Sequence, residues 1–144
     1  MNQEPLNWAY VAGIIDGEGC IALHKRTAKT YAAGFQVVPH LSITNTNQQL
    51  IVDIHQFVEA GKITTYKHAK PNWKQPFMLQ AYGQDIKRIL DGALPFLRVK
   101  REQALCVLDF VNKYSHYGLR LTAPDREDQL GLLIRVKARN KKGV

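Results

Sequence analysis

Two carboxylates stand among three glycines in the stretch VAGIIDGEGC, residues 11–20. The apolar residues before them are typical of the end of a helix, which would place Asp16 and Glu18 at its C-terminus. Unpaired carbonyls give that end a partial negative charge, so acidic side chains are locally unfavourable there. A divalent cation would reverse the balance, because carboxylate and carbonyl oxygens are a hard ligand set suited to Mg²⁺. One carboxylate alone is a poor Mg²⁺ site, so further ligands are needed.

Small residues on the same helix indicate where those ligands could come from. Ala9, Gly13 and Gly17 are spaced four residues apart, which lets two helix backbones pack very closely. Two copies of the chain packed along this stripe would bring two Glu18 carboxylates together in a shared metal site. The alternative is that the glycines give only flexibility or a helix cap, and that Glu18 is a surface acid in a turn.

The rest of the chain predicts a single α+β domain over residues 1–144. Helical spacing covers 6–16, 47–59, 85–97, 100–114 and 123–140, and period-two alternation covers 19–26, 35–45, 62–68 and 76–82. Thr122, three residues before Asp125, predicts a capping box at the start of the last helix. The order α-ββ-α-ββ-α-α-α favours a four-stranded antiparallel sheet covered by helices on one face.

The uncovered face of this sheet would carry side chains that can hydrogen-bond with base edges. Alternation in the first two strands predicts that its residues are Cys20, Ala22, His24, Arg26, Gln36, Val38, His40, Ser42 and Thr44. A two-stranded ribbon fits the major groove of DNA. A solvated sheet face carries the same residue types, however, and alternation alone favours that simpler interpretation.

Composition narrows the choice of partner and compartment. The chain has 20 Lys and Arg against 12 Asp and Glu, a net charge of +8. This excess suits nucleic acid, because each neutralised phosphate releases counterions, although a merely soluble basic protein explains it about equally well. We expect no membrane partner and no secretion signal, and Cys20 and Cys106 form neither a disulfide framework nor a zinc motif. We therefore expect an intracellular protein, in a prokaryotic cytoplasm or in the organelle where it is synthesised.

The opening motif resembles the nine-residue signature of the LAGLIDADG homing endonucleases. Residues 11–19, VAGIIDGEG, share with it Ala12, Gly13, Ile15, Asp16 and Gly19. The segments 94–111 (LPFLRVKREQALCVLDFV) and 136–143 (VKARNKKG) are similar to later parts of the family. The resemblance implies the LAGLIDADG fold, an α-ββ-α-ββ-α core whose four-stranded sheet is a DNA-binding saddle, followed by C-terminal helices. It also implies cleavage of double-stranded DNA at a long pseudo-palindromic target, leaving 3′ overhangs.

The resemblance implies roles for individual residues as well. Glu18 and the backbone carbonyl of Gly17 would bind Mg²⁺, for which Mn²⁺ can substitute. Asn45 would orient water near the scissile phosphate, with Gln49 in the same solvent network, and Lys100 would polarise the attacking water or stabilise charge on phosphorus. One motif per chain implies a homodimer, with an interface of Ala9, Ala12, Gly13, Asp16 and Gly17. Further DNA contacts are expected from Thr64, Tyr66, Lys74 and Gln80.

One departure from the family pattern keeps other functions open. Position 18 is Glu where Asp is usual, and the extra methylene moves the carboxylate by more than the ~0.5 Å tolerance of a catalytic site, although some members carry Glu here. The alternatives are an intron RNA maturase or weakly catalytic nucleic-acid-binding protein of the same fold, and an interaction module built on the glycine stripe. The joint presence of Glu18 and Lys100 favours the nuclease.

Overall fold

The fold follows the predicted alternation of helices and strands. The computed structural model describes residues 3–65, 72–114 and 120–141. In chain order the elements are α1 (Trp8–Glu18), β1 (Gly19–Thr27), β2 (Phe35–Asn45), α2 (Gln48–Val58), β3 (Lys62–Thr65), β4 (Phe77–Ala81), α3 (Gln84–Ala93), a 3₁₀ turn (Leu94–Phe96), α4 (Arg101–Tyr114) and α5 (Ala123–Asn140). The predicted order α-ββ-α-ββ-α-α-α is confirmed.

Two helices differ from their predicted bounds by more than one residue. The first helix begins at Trp8, because the side chain of Asn7 caps it by accepting a hydrogen bond from the Tyr10 amide at 2.8 Å, and it continues to Glu18. The helix predicted over 85–97 ends at Ala93 and gives way to the 3₁₀ turn that contains Pro95, which has no amide hydrogen to continue an α-helix. β3 ends at Thr65, and the predicted strand residues 66–68 lie outside the described residues.

The four strands form one antiparallel sheet in the order β1-β2-β4-β3. Across β1 and β2, Gly19 pairs with Ile43 and Arg26 with Gln36, while Gln80 of β4 pairs with Ser42 on one side. The apolar side chains on one face are buried: Ile21, Leu23, Val37, Leu41, Ile43, Leu79 and Ala81. They join apolar residues of the helices in one core, which confirms the predicted sheet with one covered face.

The indole of Trp8 seats the start of α1 against α3 and α2. The indole of Trp8 lies so close over Gly92 that a Cβ added at position 92 would be 2.3 Å from it. The same indole meets the ring of Phe57 edge to face, with centroids 5.1 Å apart. Further along the helix, the buried residues are Val11, Ala12 and Ile15. One face of α1 is thus fixed by the protein's own core.

The last helix is anchored at both ends. At its start, the predicted capping box is confirmed, with Thr122 and Asp125 exchanging hydrogen bonds between side chain and backbone. At its end, Asn140 Nδ2 donates to the carbonyl of Ile21 at 2.8 Å, which ties α5 to β1. Neither α5 nor any other helix in the described part of the chain is long and apolar enough to cross a membrane.

Candidate active site and nucleic-acid interface

Three separate parts of the chain meet at the end of α1. We call this place the α1 corner, formed by Asp16, Glu18, Asn45 and Lys100. α1 passes into β1 without a loop, because Gly19 is both its C-cap and the first residue of the strand. A Cβ at Gly19 would lie 2.8 Å from the backbone oxygen of Ile15, so only glycine fits. Since Gly19 pairs with Ile43, the end of β2 comes beside the end of α1.

The carboxylate of Glu18 is exposed and is held by Asn45. Asn45 Nδ2 donates to Glu18 Oε2 at 2.7 Å. The other end of the same amide is fixed too, because its Oδ1 accepts from the backbone N–H of Asn47 at 2.7 Å. The structure therefore brings together two of the residues to which the resemblance gives a role. An exposed carboxylate of fixed orientation is a suitable ligand for a hard cation.

Lys100 reaches the same corner from the segment before α4. Its Nζ donates to three backbone carbonyls, those of Ile15 at 3.0 Å, Asp16 at 3.1 Å and Gly19 at 2.6 Å. A cation is favourable at this position because the last carbonyls of a helix carry partial negative charge. The carbonyl of Gly17, predicted as a metal ligand, is not among its three acceptors.

The carboxylate of Asp16 is bound within its own chain, a contact that sequence patterns did not reveal. Its Oδ2 accepts from the backbone N–H of Arg98 at 2.9 Å, and its Oδ1 accepts from those of Val99 and Lys100 at 3.1 and 3.0 Å. These amides immediately precede α4, where a negative charge is favourable. Asp16 was predicted in a dimer interface, which stays a prediction, but its charged group serves the fold.

Gln49 lies apart from these contacts. Its Nε2 donates to Oδ1 of Asp53, one turn further along α2, at 2.8 Å. Both side chains line a groove beside Asn7 and Tyr10 at the start of α1. The predicted place of Gln49 in a solvent network with Glu18 stays a prediction.

The residues predicted for the uncovered sheet face lie on one side of the sheet in register, and we call this side the outer face. Cys20 is paired with Ser42, Ala22 with His40, His24 with Val38 and Arg26 with Gln36. Thr44 continues the face across β4 and β3, because it pairs with Met78, which in turn pairs with Thr64. The exposed members are Cys20, His24, Arg26 and Gln36, and the half-buried ones are Val38, His40, Thr44, Met78 and Thr64.

Two predicted DNA-contacting residues on the outer face are nearly inaccessible. Ala22 and Ser42 each expose only 7% of their surface. Both side chains are short and stand beside larger neighbours, and the hydroxyl of Ser42 lies 3.0 Å from Nε2 of His40. The prediction that Ala22 and Ser42 are exposed for DNA contact is therefore wrong in this structure, because alternation gives the face of a side chain but not the size of its neighbours.

Two of the four remaining predicted contacts lie on the β3–β4 side of the outer face. Gln80 and Thr64 are half-buried on this face, and Lys74 is exposed in the segment before β4. Tyr66 lies outside the described residues. Met78 was not predicted, although counting back two residues from Gln80 in the period-two pattern would have found it.

His40 is the titratable group of the outer face whose pKa is shifted. Its imidazole centroid lies 5.1 Å from that of His24. Burial, then the charges of His24 and Arg26, hold the pKa of His40 below its usual value. The neutral imidazole is thus favoured, with its Nε2 bonded to Ser42.

The small-residue stripe of α1 is exposed, with one exception among the predicted interface residues. Ala9, Gly13 and Gly17 face outward. A Cβ added at Gly13 or Gly17 would meet nothing within 4 Å. Ala12, by contrast, is 0% exposed within the chain's own core, so its predicted place in a dimer interface is wrong. A helix turns by 100° per residue, which carries position 12 away from the line of positions 9, 13 and 17.

Known proteins share both the sequence and the fold. DNA endonuclease I-CvuI from Chlorella vulgaris is 26% identical over 141 residues, which cover 94% of this chain and 84% of that protein. The archaeal intron-encoded homing endonuclease I-Vdi141I, complexed with DNA, superposes with a TM-score of 0.80 at 20% identity, over 95% of this chain and 86% of that one. I-CvuI in complex with a DNA target in the presence of Mg gives 0.69 at 23% identity, over 95% and 83% of the two chains.

A profile of the LAGLIDADG endonuclease family matches residues 11–91. The match runs from the motif in α1 through the sheet into α3, and so includes Glu18, Asn45 and the outer face. The solved structures share the α+β architecture with its four-stranded antiparallel sheet. Because the profile spans more than half of its residues, this chain belongs to the LAGLIDADG endonuclease family.

Proposed function

We propose that this protein is a site-specific endonuclease of double-stranded DNA that acts as a homodimer with Mg²⁺. Its target would be long and pseudo-palindromic, and cleavage would leave 3′ overhangs. The observation that carries the proposal is the position of the Glu18–Asn45 pair at the end of the outer face. Gly19 directly follows Glu18, and Thr44 of the outer face directly precedes Asn45. A nucleic acid lying on that face would therefore pass the carboxylate.

The properties of relatives agree with this substrate. I-Vdi141I and I-CvuI have both been solved with DNA. The net charge of +8 supports binding to a polyanion, and the exposed residues His24, Arg26 and Gln36 can hydrogen-bond with base edges or phosphates. Phosphodiester hydrolysis needs charge stabilisation at both the attacking and the leaving oxygen.

The donor set of the α1 corner suits Mg²⁺ only in part. Within the described residues, no group of three or more His, Cys, Asp and Glu side chains lies close enough to hold a metal. Glu18 supplies an oriented carboxylate and Gly17 a backbone oxygen, both of the oxygen type that Mg²⁺ prefers. When bound, Mg²⁺ would stabilise negative charge on the reacting phosphate, and Mn²⁺ would substitute for it. The second carboxylate would be Glu18 of the partner subunit.

The stripe on α1 supports the pairing of two chains. Glycine in a helix interior costs about 1 kcal/mol relative to alanine. At Gly13, in the interior of α1, this cost has no reason within the chain, because the position has room for a side chain, as Gly17 in the last turn also has. Phe96 lines one groove with Ala9 and Gly13 and is 48% exposed, and Val99, whose amide donates to Asp16, is 71% exposed. A second copy packed along the stripe would explain both the small residues and the exposed apolar ones.

The oligomeric state is tested by Gly13→Leu, with Gly131→Leu as the matched control. Gly131 is an exposed helical glycine on α5 that also has nothing within 4 Å of an added Cβ. Analytical ultracentrifugation should find the parent and Gly131→Leu dimeric, and Gly13→Leu at half that mass with its helix content kept. A monomeric parent, or a Gly13→Leu dimer as tight as the parent's, would contradict the pairing.

The nuclease function is tested with a randomised library of double-stranded DNA and Mg²⁺, with sequencing of the cut ends. The parent should cut a pseudo-palindromic site, and Glu18→Gln should bind the same site without cutting it. Specific binding without any cutting by the parent would overturn the proposal. A parallel selection for bound RNA covers the maturase alternative, which predicts enrichment of RNA in place of cut DNA.

A further inference from the structure

The outer face changes in composition from one end to the other. Its strands pair in register, so its side chains form rows that run across the sheet. The row beside the α1 corner consists of Thr44, Met78 and Thr64, which are paired across β2, β4 and β3. We call it the Met78 row. At the far end of β1 and β2, Arg26 is paired with Gln36.

The Met78 row offers apolar contact surface. The thioether of Met78 has no hydrogen-bond donor and is only a weak acceptor. On each side of it stands a threonine, whose side chain has a methyl group as well as a hydroxyl. All three side chains are half-buried, so part of each remains open to a molecule that lies on the sheet. Methionine is flexible and polarizable, which lets Met78 adapt its shape to the group that it contacts.

The far end of the outer face offers hydrogen bonds instead. His24, Arg26 and Gln36 are exposed there. An arginine can donate two hydrogen bonds to guanine, and a glutamine can form a pair of hydrogen bonds with adenine. Base pairs contacted at this end would therefore be recognised by their donors and acceptors. The two ends of the outer face are thus suited to different features of DNA.

Thymine is the base that fits an apolar side chain in the major groove, because it alone presents a methyl group there. Placing Met78 against a donor or an acceptor of another base would remove water from that group without replacing its hydrogen bond, which is unfavourable. Contact with the C5 methyl group of thymine buries apolar surface of both partners, which is favourable. Met78 should therefore favour thymine.

The position of the Met78 row relates this preference to the cut. Thr44 directly precedes Asn45, whose amide donates to the carboxylate of Glu18 at 2.7 Å. Successive outer-face residues of one strand are roughly 6.7 Å apart, the length of about two base pairs. For DNA lying along β2, the Met78 row would contact base pairs within about four of the scissile phosphate, and Gln36 would lie about eight base pairs farther out.

We propose that Met78 selects thymine, through its C5 methyl group, at a base pair close to the cut in each half-site. The methyl groups of Thr44 and Thr64 border the same contact. This inference rests on the proposed nuclease function and narrows its target. A thymine near each scissile phosphate is recognised by apolar contact, and the outer base pairs by hydrogen bonds. Because the proposed dimer is symmetric, the thymine occurs once in each half-site.

Replacement of thymine by uracil tests the methyl contact alone, because uracil keeps every hydrogen-bonding group and lacks only that methyl. Each thymine of the selected DNA site is replaced singly, and the affinity of the homodimer and the single-turnover cleavage rate are measured separately. Uracil at the thymine within about four base pairs of the cut should weaken binding by about fourfold. Uracil at both symmetric positions should weaken it by about 15-fold, since distant sites contribute independently.

Variants of Met78 assign the methyl contact to this side chain. Met78→Ala should bind the thymine and uracil sites almost equally, whereas Met78→Leu, which stays apolar, should keep most of the preference for thymine. Met78→Gln introduces a side chain that pairs with adenine, so selection from the library should change this position from thymine to adenine. The matched control is Ile134→Ala, which removes an apolar side chain of α5 that is 67% exposed and should keep the parent's preference.

A purely structural role for the Met78 row predicts other results, which would overturn the proposal. The parent would then bind thymine and uracil equally at every position near the cut, or Met78→Ala would keep the parent's preference. A selected site with no thymine within about four base pairs of the cut would overturn it as well. If Met78→Ala loses its cooperative thermal transition, the uracil series on the parent and the Met78→Gln selection decide the question.

Separate measurement of binding and cleavage distinguishes this inference from the nuclease function on which it rests. A parent that binds a selected site with a preference for thymine over uracil, but cuts no DNA, would overturn the nuclease function and support the contact of Met78. A parent that cuts its site and does not distinguish thymine from uracil would overturn the contact and support the nuclease function.

Discussion

The α1 corner and the outer face are adjacent, yet they are built in opposite ways. At the corner, short hydrogen bonds of 2.6 to 3.1 Å join residues from three chain segments, and most use backbone atoms. On the outer face, His24, Arg26 and Gln36 are exposed, and His40 contacts the hydroxyl of Ser42 and the ring of His24. The difference indicates that the fold fixes the side chains of the proposed active site and leaves those of the proposed DNA-binding surface exposed.

The largest effect should come from moving the corner carboxylate by one methylene. Glu18→Asp shortens the side chain that Asn45 holds at 2.7 Å, and a displacement of about 1 Å costs about 100-fold in rate. Gln36→Asn removes the same methylene from the outer face and should change the cleavage rate of bound DNA by about twofold at most. Single-turnover kinetics on the selected site measure both. Equal cleavage rates for Glu18→Asp and the parent would show that the position of the corner carboxylate is no more critical than that of an outer-face side chain.

The α1 corner and the outer face also differ in how much of each could be predicted from the sequence. Glu18 and Asn45 were predicted because a local motif and a strand end mark them. The partners of Asp16 lie 82 to 84 residues further along the chain, and no local pattern connects them. Alternation predicted which residues share the outer face, but not the burial of Ala22 and Ser42, which depends on the size of their neighbours.

A somewhat smaller effect, on stability, is expected at the start of α1, where Trp8 packs over Gly92. Gly92→Ala would push a methyl group into the indole of Trp8, at 2.3 Å, and such overpacking costs about 1 to 3 kcal/mol of unfolding free energy. Gly131→Ala, where nothing lies within 4 Å, should gain up to about 1 kcal/mol, since alanine favours a helix. Urea denaturation measures both. A Gly92→Ala protein as stable as the parent would show that α1 can shift without strain, which would weaken the rigidity assigned to the corner.

The outer face should respond in specificity and hardly in rate. Arg26→Ala removes an exposed cation that can read a base edge, and the loss of discrimination at one base pair should be about tenfold. Thr27→Ala, an exposed position on the opposite side of the same strand, is the control and should leave discrimination unchanged. Sequencing of bound and cut library members gives both quantities. A loss of cleavage rate in bound Arg26→Ala complexes would mean that the outer face also positions the scissile phosphate.

The smallest expected effect is on the pH dependence of stability and concerns His40, whose pKa is shifted. Burial, then His24 and Arg26, keep the pKa of His40 below its usual value, so near and below about pH 6.5 the unfolded chain binds more protons at this position than the folded protein. The free energy of unfolding should therefore rise with pH through that window, and the contribution of His40 should be lost as the pH falls. His40→Asn should flatten this slope in denaturation measured across the window, whereas His24→Asn, which removes only a secondary cause, should flatten it partly. If His40→Asn kept the full pH dependence of the unfolding free energy, His40 would not be its source. The outer face would then differ from the α1 corner even more than the structure indicates.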